Sequence, residues 1–155
     1  MDHKKQEDYV ATLFLELEIF NRSLYWLKRS FNICYKIGIK ESYEMEELDA
    51  IEAFTARFAR SSYILIHKIF RSIDKIEFEK EDLMLDILNR TEKRGIIDSI
   101  ENIRPIYDLN NIIYINYSPD DLIMLFKKVL TQSKPLLEIA DRVNTYCEKY
   151  NHTTT

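Results

Sequence analysis

Val10-Ala11-Thr12-Leu13-Phe14-Leu15-Glu16-Leu17-Glu18-Ile19-Phe20-Asn21-Arg22-Ser23-Leu24-Tyr25-Trp26-Leu27-Lys28-Arg29-Ser30-Phe31-Asn32-Ile33-Cys34 decides the fold class. Within it Val10, Leu13, Leu17, Phe20, Leu24, Leu27, Phe31 and Cys34 recur in steps of three and four without a break. That spacing is an apolar helical stripe more than three heptads long, and it predicts a helix from about Gln6 to Tyr35. Phe14 widens the stripe into a core-facing band. A stripe of this length must be covered, which implies a bundle or a dimer. The chain of 155 residues holds only two Gly and three Pro, so turns are scarce and an all-α chain of long helices is favoured.

The remaining segments extend this reading. Gly38 ends the first helix, with a loop over Ile37 to Ser42. A second helix runs from near Ser42 to about Ser72. Acidic residues stand in its first turn, and Leu48, Ile51, Phe58, Leu65 and Ile69 form its core stripe. The small residues Ala53, Ala56, Ala59, Ser61 and Ser62 would let a neighbouring helix approach closely. Ile73 to Glu79 reads as a polar connection. A third helix from about Lys80 to Arg94 turns Leu83, Ile87, Leu88 and Thr91 inward, and Gly95 stands where a capping glycine belongs. Asp98 and Ser99 are candidate caps for a fourth helix through Tyr117, with Pro105 delaying or kinking it. Ser118, Pro119 and Asp121 mark the start of a fifth helix. Leu122, Leu125, Phe126, Val129, Leu136, Ala140 and Val143 line it, Pro135 bends it, and 151–155 read as a frayed tail. No linker divides the chain, so residues 1–155 are expected to form a single domain.

Composition bounds the function. The apolar fraction is 46%, the charged fraction 31% and the net charge −4, which argues against non-specific binding of phosphate backbones. One acidic run spans Glu41 to Glu52 and another Glu77 to Asp82. Between them lie Arg57, Arg60, His67, Lys68, Arg71 and Lys75, either an ordinary solvated face or a binding patch. Cys34 and Cys147 are too few for a disulfide framework, and His3, His67 and His152 are too scattered for a metal site. No metal or cofactor is therefore expected. No apolar run is long enough for a membrane span, and no signal-type segment follows Met1. A reducing cytoplasm is the expected compartment.

One stretch reads as a site: Tyr107-Asp108-Leu109-Asn110-Asn111-Ile112-Ile113-Tyr114-Ile115-Asn116-Tyr117. Tyr107, Asn110, Tyr114 and Tyr117 step by three, four and three, which places them on one helix face. Phenols and an amide so arranged would stack on bases or hydrogen-bond a nucleotide. A boundary between core and water, or a dimer interface, would use tyrosines in the same way.

Three segments together resemble a known family. They are Phe54-x-x-Arg57-Phe58-x-Arg60, then Leu88-Asn89-Arg90-x-Glu92-Lys93-x-Gly95-x-Ile97-Asp98-Ser99, then Leu109-Asn110-Asn111-x-Ile113-x-x-x-Tyr117-x-x-Asp120. Their order and spacing resemble the HEPN superfamily, and within it the HepT-like proteins that pair with a minimal nucleotidyltransferase in toxin–antitoxin systems. The resemblance implies an up-down bundle of four to five helices that forms a homodimer. In active members the fourth helix carries Arg-x4-His-x-Tyr at the dimer cleft. The toxin cleaves RNA without a metal, and its partner silences it by adding AMP to the tyrosine.

Such cleavage needs a proton-transfer group and a cation on the phosphate. Positions five apart on a helix are about 140° out of phase, so two helices facing across a cleft serve better than one. Here Asn110 stands at the arginine position and Ile115 at the histidine position, and only Tyr117 is retained. The resemblance therefore implies a degenerate ribonuclease. It would bind a nucleotide, RNA or the nucleotidyltransferase through Tyr107, Asn110, Tyr114, Tyr117, Arg57 and Arg60, with Tyr117 the modification site. The alternative is an active metal-independent ribonuclease with a displaced constellation. Arg60 and His67, seven residues apart on the second helix, would carry it together with Tyr117.

Overall fold

The computed structural model describes residues 3–80, 83–113 and 119–153, and among them every regular element is helical. Helix α1 spans His3–Ile37. Its stripe Val10, Leu13, Leu17, Phe20, Leu24, Leu27 and Cys34 is buried as the spacing predicts. Gly38 adopts φ +70° and donates its N–H to the Cys34 carbonyl at 3.0 Å. A left-handed residue is what releases the chain from a helix, and glycine takes that conformation at no steric cost.

Helix α2 (Met45–Tyr63) starts one turn later than Ser42. Glu44 caps it reciprocally with Glu47, whose carboxylate accepts the Glu44 N–H at 2.9 Å. The chain then continues without a break through a π-helical turn, Ile64–Ile69, into α3 (Phe70–Ile76). This corrects the expectation of a polar connection after Ser72. Ile73 and Ile76 are buried core residues, and Asp74 is buried beside them. The wide turn adds a residue to the helical repeat, so the inward register advances by one. Ile66 and Phe70 are accordingly buried together with Leu65 and Ile69.

Helix α4 (Met84–Lys93) turns Ile87, Leu88 and Thr91 inward, but Leu83 lies outside it at 79% exposure. Gly95 follows at φ +78°, taking its helix-ending place. Helix α5 (Ile100–Ile113) is capped by Ser99, whose Oγ accepts the Glu101 N–H at 2.9 Å. Pro105 lies inside α5, and Pro135 inside α6 (Pro119–Cys147). The chain after Cys147 forms a 3₁₀ turn, Glu148–Thr153, and Tyr150 is buried. The tail expected to be frayed from Asn151 is thus ordered through residue 153. Ser118, read as the cap of α6, lies outside the described residues.

Helix α2 is the hub, packing on α1, α5 and α6. The Phe54 ring lies 6.2 Å from both Phe31 of α1 and Phe126 of α6, edge-on in each case. A polar clamp closes the other end. Asp74 accepts two hydrogen bonds from Arg90, at 2.7 and 3.2 Å, and one from Arg94 at 2.7 Å. Arg94 also donates to Glu77 at 3.1 Å. The far oxygen of Glu77 accepts the hydroxyls of Tyr146, at 2.6 Å, and Tyr150. Buried carboxylates are costly alone and are kept here by paired guanidinium and phenol donors. Burial pushes the Glu77 carboxyl up, but the two tyrosine hydrogen bonds and Arg94 outweigh it and hold it below its ordinary range.

Candidate functional site

The junction between α2 and the π turn organises the polar chemistry of the bundle. Ser62 Oγ donates back to the carbonyls of Phe58, at 2.9 Å, and Ala59, at 3.1 Å. Ser61 Oγ shares a hydrogen bond with Ser23 of α1 at 2.9 Å. Asn110 enters from α5. Its Nδ2 donates to the Ala59 carbonyl at 2.8 Å and to Ser62 Oγ at 2.9 Å. Only 2% of Asn110 is exposed. It lies with Ile103, Ile106 and Leu109 on the buried side of α5, while Tyr107 is half-buried and Asn111 exposed. Asn110 is thus an amide whose donors are spent inside the bundle. Tyr114, Ile115 and Tyr117 lie outside the described residues.

An aromatic strip crosses the surface beside this junction. The His67 ring lies in the π turn, 4.7 Å from Tyr63 on one side and 6.2 Å from Tyr107 of α5 on the other, tilted by 34° and 40°. The π turn brings His67 and Tyr63, four residues apart, onto one face, and such turns recur at functional sites. Burial, then the charges of Arg71 and Lys68, hold the His67 imidazole below its ordinary value of 6.5, so the ring is neutral at pH 7. Arg60 is exposed one turn before Tyr63 and makes no hydrogen bond or ion pair among the described residues. The strip therefore combines three aromatic rings with the cations Arg60, Lys68 and Arg71, a combination that suits a base and its phosphate.

Arg57 is placed elsewhere. Its guanidinium donates to Ser30 Oγ at 2.6 Å and lies 5.2 Å from the centre of the Trp26 ring, both on α1. Of the residues singled out in the sequence, the structure brings His67 and Tyr107 together, and sets Arg57 and Asn110 apart from them. Tyr63 was missed. It follows Arg60 by three and precedes His67 by four, and that spacing was the signal available.

Other chemistry is sparse. Burial pushes the Cys34 thiol up to about 11 and the Cys147 thiol up to about 12, so neither supplies a thiolate at neutral pH. Among the described residues, no three His, Cys, Asp or Glu side chains are placed to hold one metal ion. No described helix is long and apolar enough to cross a membrane. A surface hollow of about 370 Å³ lies between α5 and α6, and Asp98, Glu101, Glu138 and Arg142 line it. Arg142 is paired with Asp98 at 2.9 Å, so the remaining carboxylates disfavour phosphate. Comparison of the chain with protein-family models, with curated proteins and with solved structures gives no significant match.

Proposed function

We propose that this chain is a HepT-like, dimeric binding module that has lost ribonuclease activity and engages a small nucleotidyltransferase of toxin–antitoxin type. The observation that carries the loss of activity is the burial of Asn110. An uncharged amide hydrogen-bonded to α2 supplies no cation to a phosphate, and the family's chemistry depends on that cation. The Tyr63–His67–Tyr107 strip with Arg60, Lys68 and Arg71 is the surface on which a nucleotide or single-stranded RNA would lie. Tyr117 is the residue that the partner would modify with AMP.

Fluorescence anisotropy with a labelled single-stranded oligoribonucleotide tests the binding surface. One stacked base is worth about 1–3 kcal/mol, so Tyr63→Ala should weaken binding about tenfold, and Arg60→Ala should reduce its salt dependence. Equal affinity of native and Tyr63→Ala protein would rule the strip out. Co-purification with a candidate nucleotidyltransferase, followed by mass spectrometry of Tyr117, tests the partner and the modification separately.

One observation favours a second reading, a metal-independent ribonuclease. His67 is neutral at pH 7 and has Arg71 beside it, the protonation state that a general base requires. Arg60 and Tyr117 would complete that constellation. RNA cleavage that disappears in His67→Ala supports this reading, and cleavage that persists in the variant removes His67 from it.

A further inference from the structure

Arg57 takes no part in the aromatic strip, and its setting is unusual for a charge. Its side chain is half-buried where α2 meets α1. Nη1 donates to Ser30 Oγ at 2.6 Å, Ser30 is itself only 3% exposed, and the guanidinium carbon lies 5.2 Å from the centre of the Trp26 ring. These two contacts hold the guanidinium in place. They leave Nε and Nη2 with no acceptor among the described residues. Thr55 Oγ1 is the one fully buried side-chain nitrogen or oxygen among those residues that lacks a partner, so Nε and Nη2 reach solvent. Arg90 and Arg94, by contrast, are closed by Asp74 and Glu77 of the chain itself. A guanidinium partly out of water is costly without an anion, and its Nε–Nη2 edge presents two parallel N–H groups at the spacing of two carboxylate oxygens.

The surroundings select the kind of anion. Trp26, Arg29, Ile33 and Lys36 follow in steps of 3, 4 and 3, so they share one face of α1. All four are exposed, Trp26 by 48% and Ile33 by 41%. Tyr25, 64% exposed, stands edge-on to Trp26 at 5.2 Å. From Ile19 to Lys40 the sequence holds five Lys or Arg and no Asp or Glu, in a chain of net charge −4. Arg22 and Lys40 are paired with Glu18 and Glu47, whereas Arg29 and Lys36 make no ion pair among the described residues.

We infer that Arg57 and Trp26 form a docking point for an acidic, apolar segment of a partner protein, one Asp or Glu carboxylate of which sits on the Arg57 Nε–Nη2 edge. A monoanion matches a single guanidinium. The apolar side chains of such a segment cover Trp26 and Ile33, and its further acids meet Arg29 and Lys36. Trp, Tyr and Arg are also the residue types that carry most of the energy at protein interfaces. A phosphate backbone fits less well, because Ile33 offers it nothing and the net negative charge of the chain repels it. The inference does not rest on the preceding proposal, whose binding surface leaves Arg57 unused.

Trp26 is the only tryptophan of the chain, so its emission reports occupancy of this site directly. The probe is a helical peptide with Glu and Leu along one face and Ala elsewhere, and its counterpart with Gln in place of Glu is the control. Titration with the Glu peptide should shift Trp26 emission to the blue and saturate, and the Gln peptide should not. Arg57→Lys keeps the charge but loses the fork, and should weaken binding about tenfold with an unchanged circular dichroism spectrum. Arg29→Ala should make binding less sensitive to salt. No shift with the Glu peptide at millimolar concentration, an equal shift with the Gln peptide, or native affinity in Arg57→Lys would each overturn the inference. A shift produced by oligouridylate, or by vesicles containing phosphatidylglycerol, but not by the Glu peptide would also overturn it, and would assign the face to nucleic acid or to an anionic membrane. Emission that moves to the red on dilution without any probe would overturn it in favour of a second copy of the chain.

Discussion

Asn110→Ala isolates the polar joint between α5 and α2. The substitution deletes two hydrogen bonds, of 2.8 and 2.9 Å, at a site that is 2% exposed. Each is worth about 0.5–1.5 kcal/mol net. The void left by the carboxamide adds to this, for a total loss of about 2–3 kcal/mol. Ser62 Oγ keeps its bonds to Phe58 and Ala59, so nothing further is orphaned. In a chain of this size the loss lowers Tm by about 5–10 °C. Urea unfolding followed by circular dichroism should show a lower midpoint with an unchanged slope. Asn110→Arg should cost more, because it forces a charge into the core. A loss below about 0.5 kcal/mol in Asn110→Ala, or full stability in Asn110→Arg, would refute the reasoning, since the side chain would then reach solvent.

Two further outcomes follow from the charges. Glu77 is held below its ordinary carboxyl value of 4.5 in the folded chain, so its contribution is complete above that value and is lost as pH falls through the lower folded value. Glu77→Gln should therefore cost about 1–3 kcal/mol at pH 7 and make the loss of stability between pH 5 and pH 3 shallower, as read by urea unfolding at each pH. His67 should titrate below 6.5 by NMR of its ring protons, and Arg71→Ala should move the midpoint upward, since Arg71 is one of the cations that hold it down.

The fold was largely legible because its helices are long and their apolar periodicity unbroken. Every position of the α1 stripe from Val10 to Cys34 except Phe31, which is partly exposed, is buried. What periodicity did not give was the continuation of α2 through Ile76. Asp74, Lys75 and Glu77 look like solvent-facing loop residues until Arg90, Arg94, Tyr146 and Tyr150 arrive from distant positions to satisfy the two carboxylates. The π turn is likewise invisible to a constant 100° phase, and it sets which carbonyls and rings face α5. The Asn/Tyr stepping on α5 gave a common face for Tyr107 and Asn110. The structure turns Asn110 inward because polar acceptors await it at Ala59 and Ser62.

The clamp around Asp74 and Glu77 also bears on how the chain acquires its shape during synthesis. Its acidic half is made early, whereas Tyr146 and Tyr150 follow Glu77 by 69 and 73 residues. Loop closure over that distance is entropically slow, so local helices form first and this joint closes late. Asp74 gains Arg90 and Arg94 only 16 and 20 residues on, but until the C-terminal tyrosines arrive Glu77 keeps its water and the end of α3 lacks its last anchor. A released chain truncated before residue 146 should therefore be cut by proteases near Glu77, and the chain through residue 153 should be protected there.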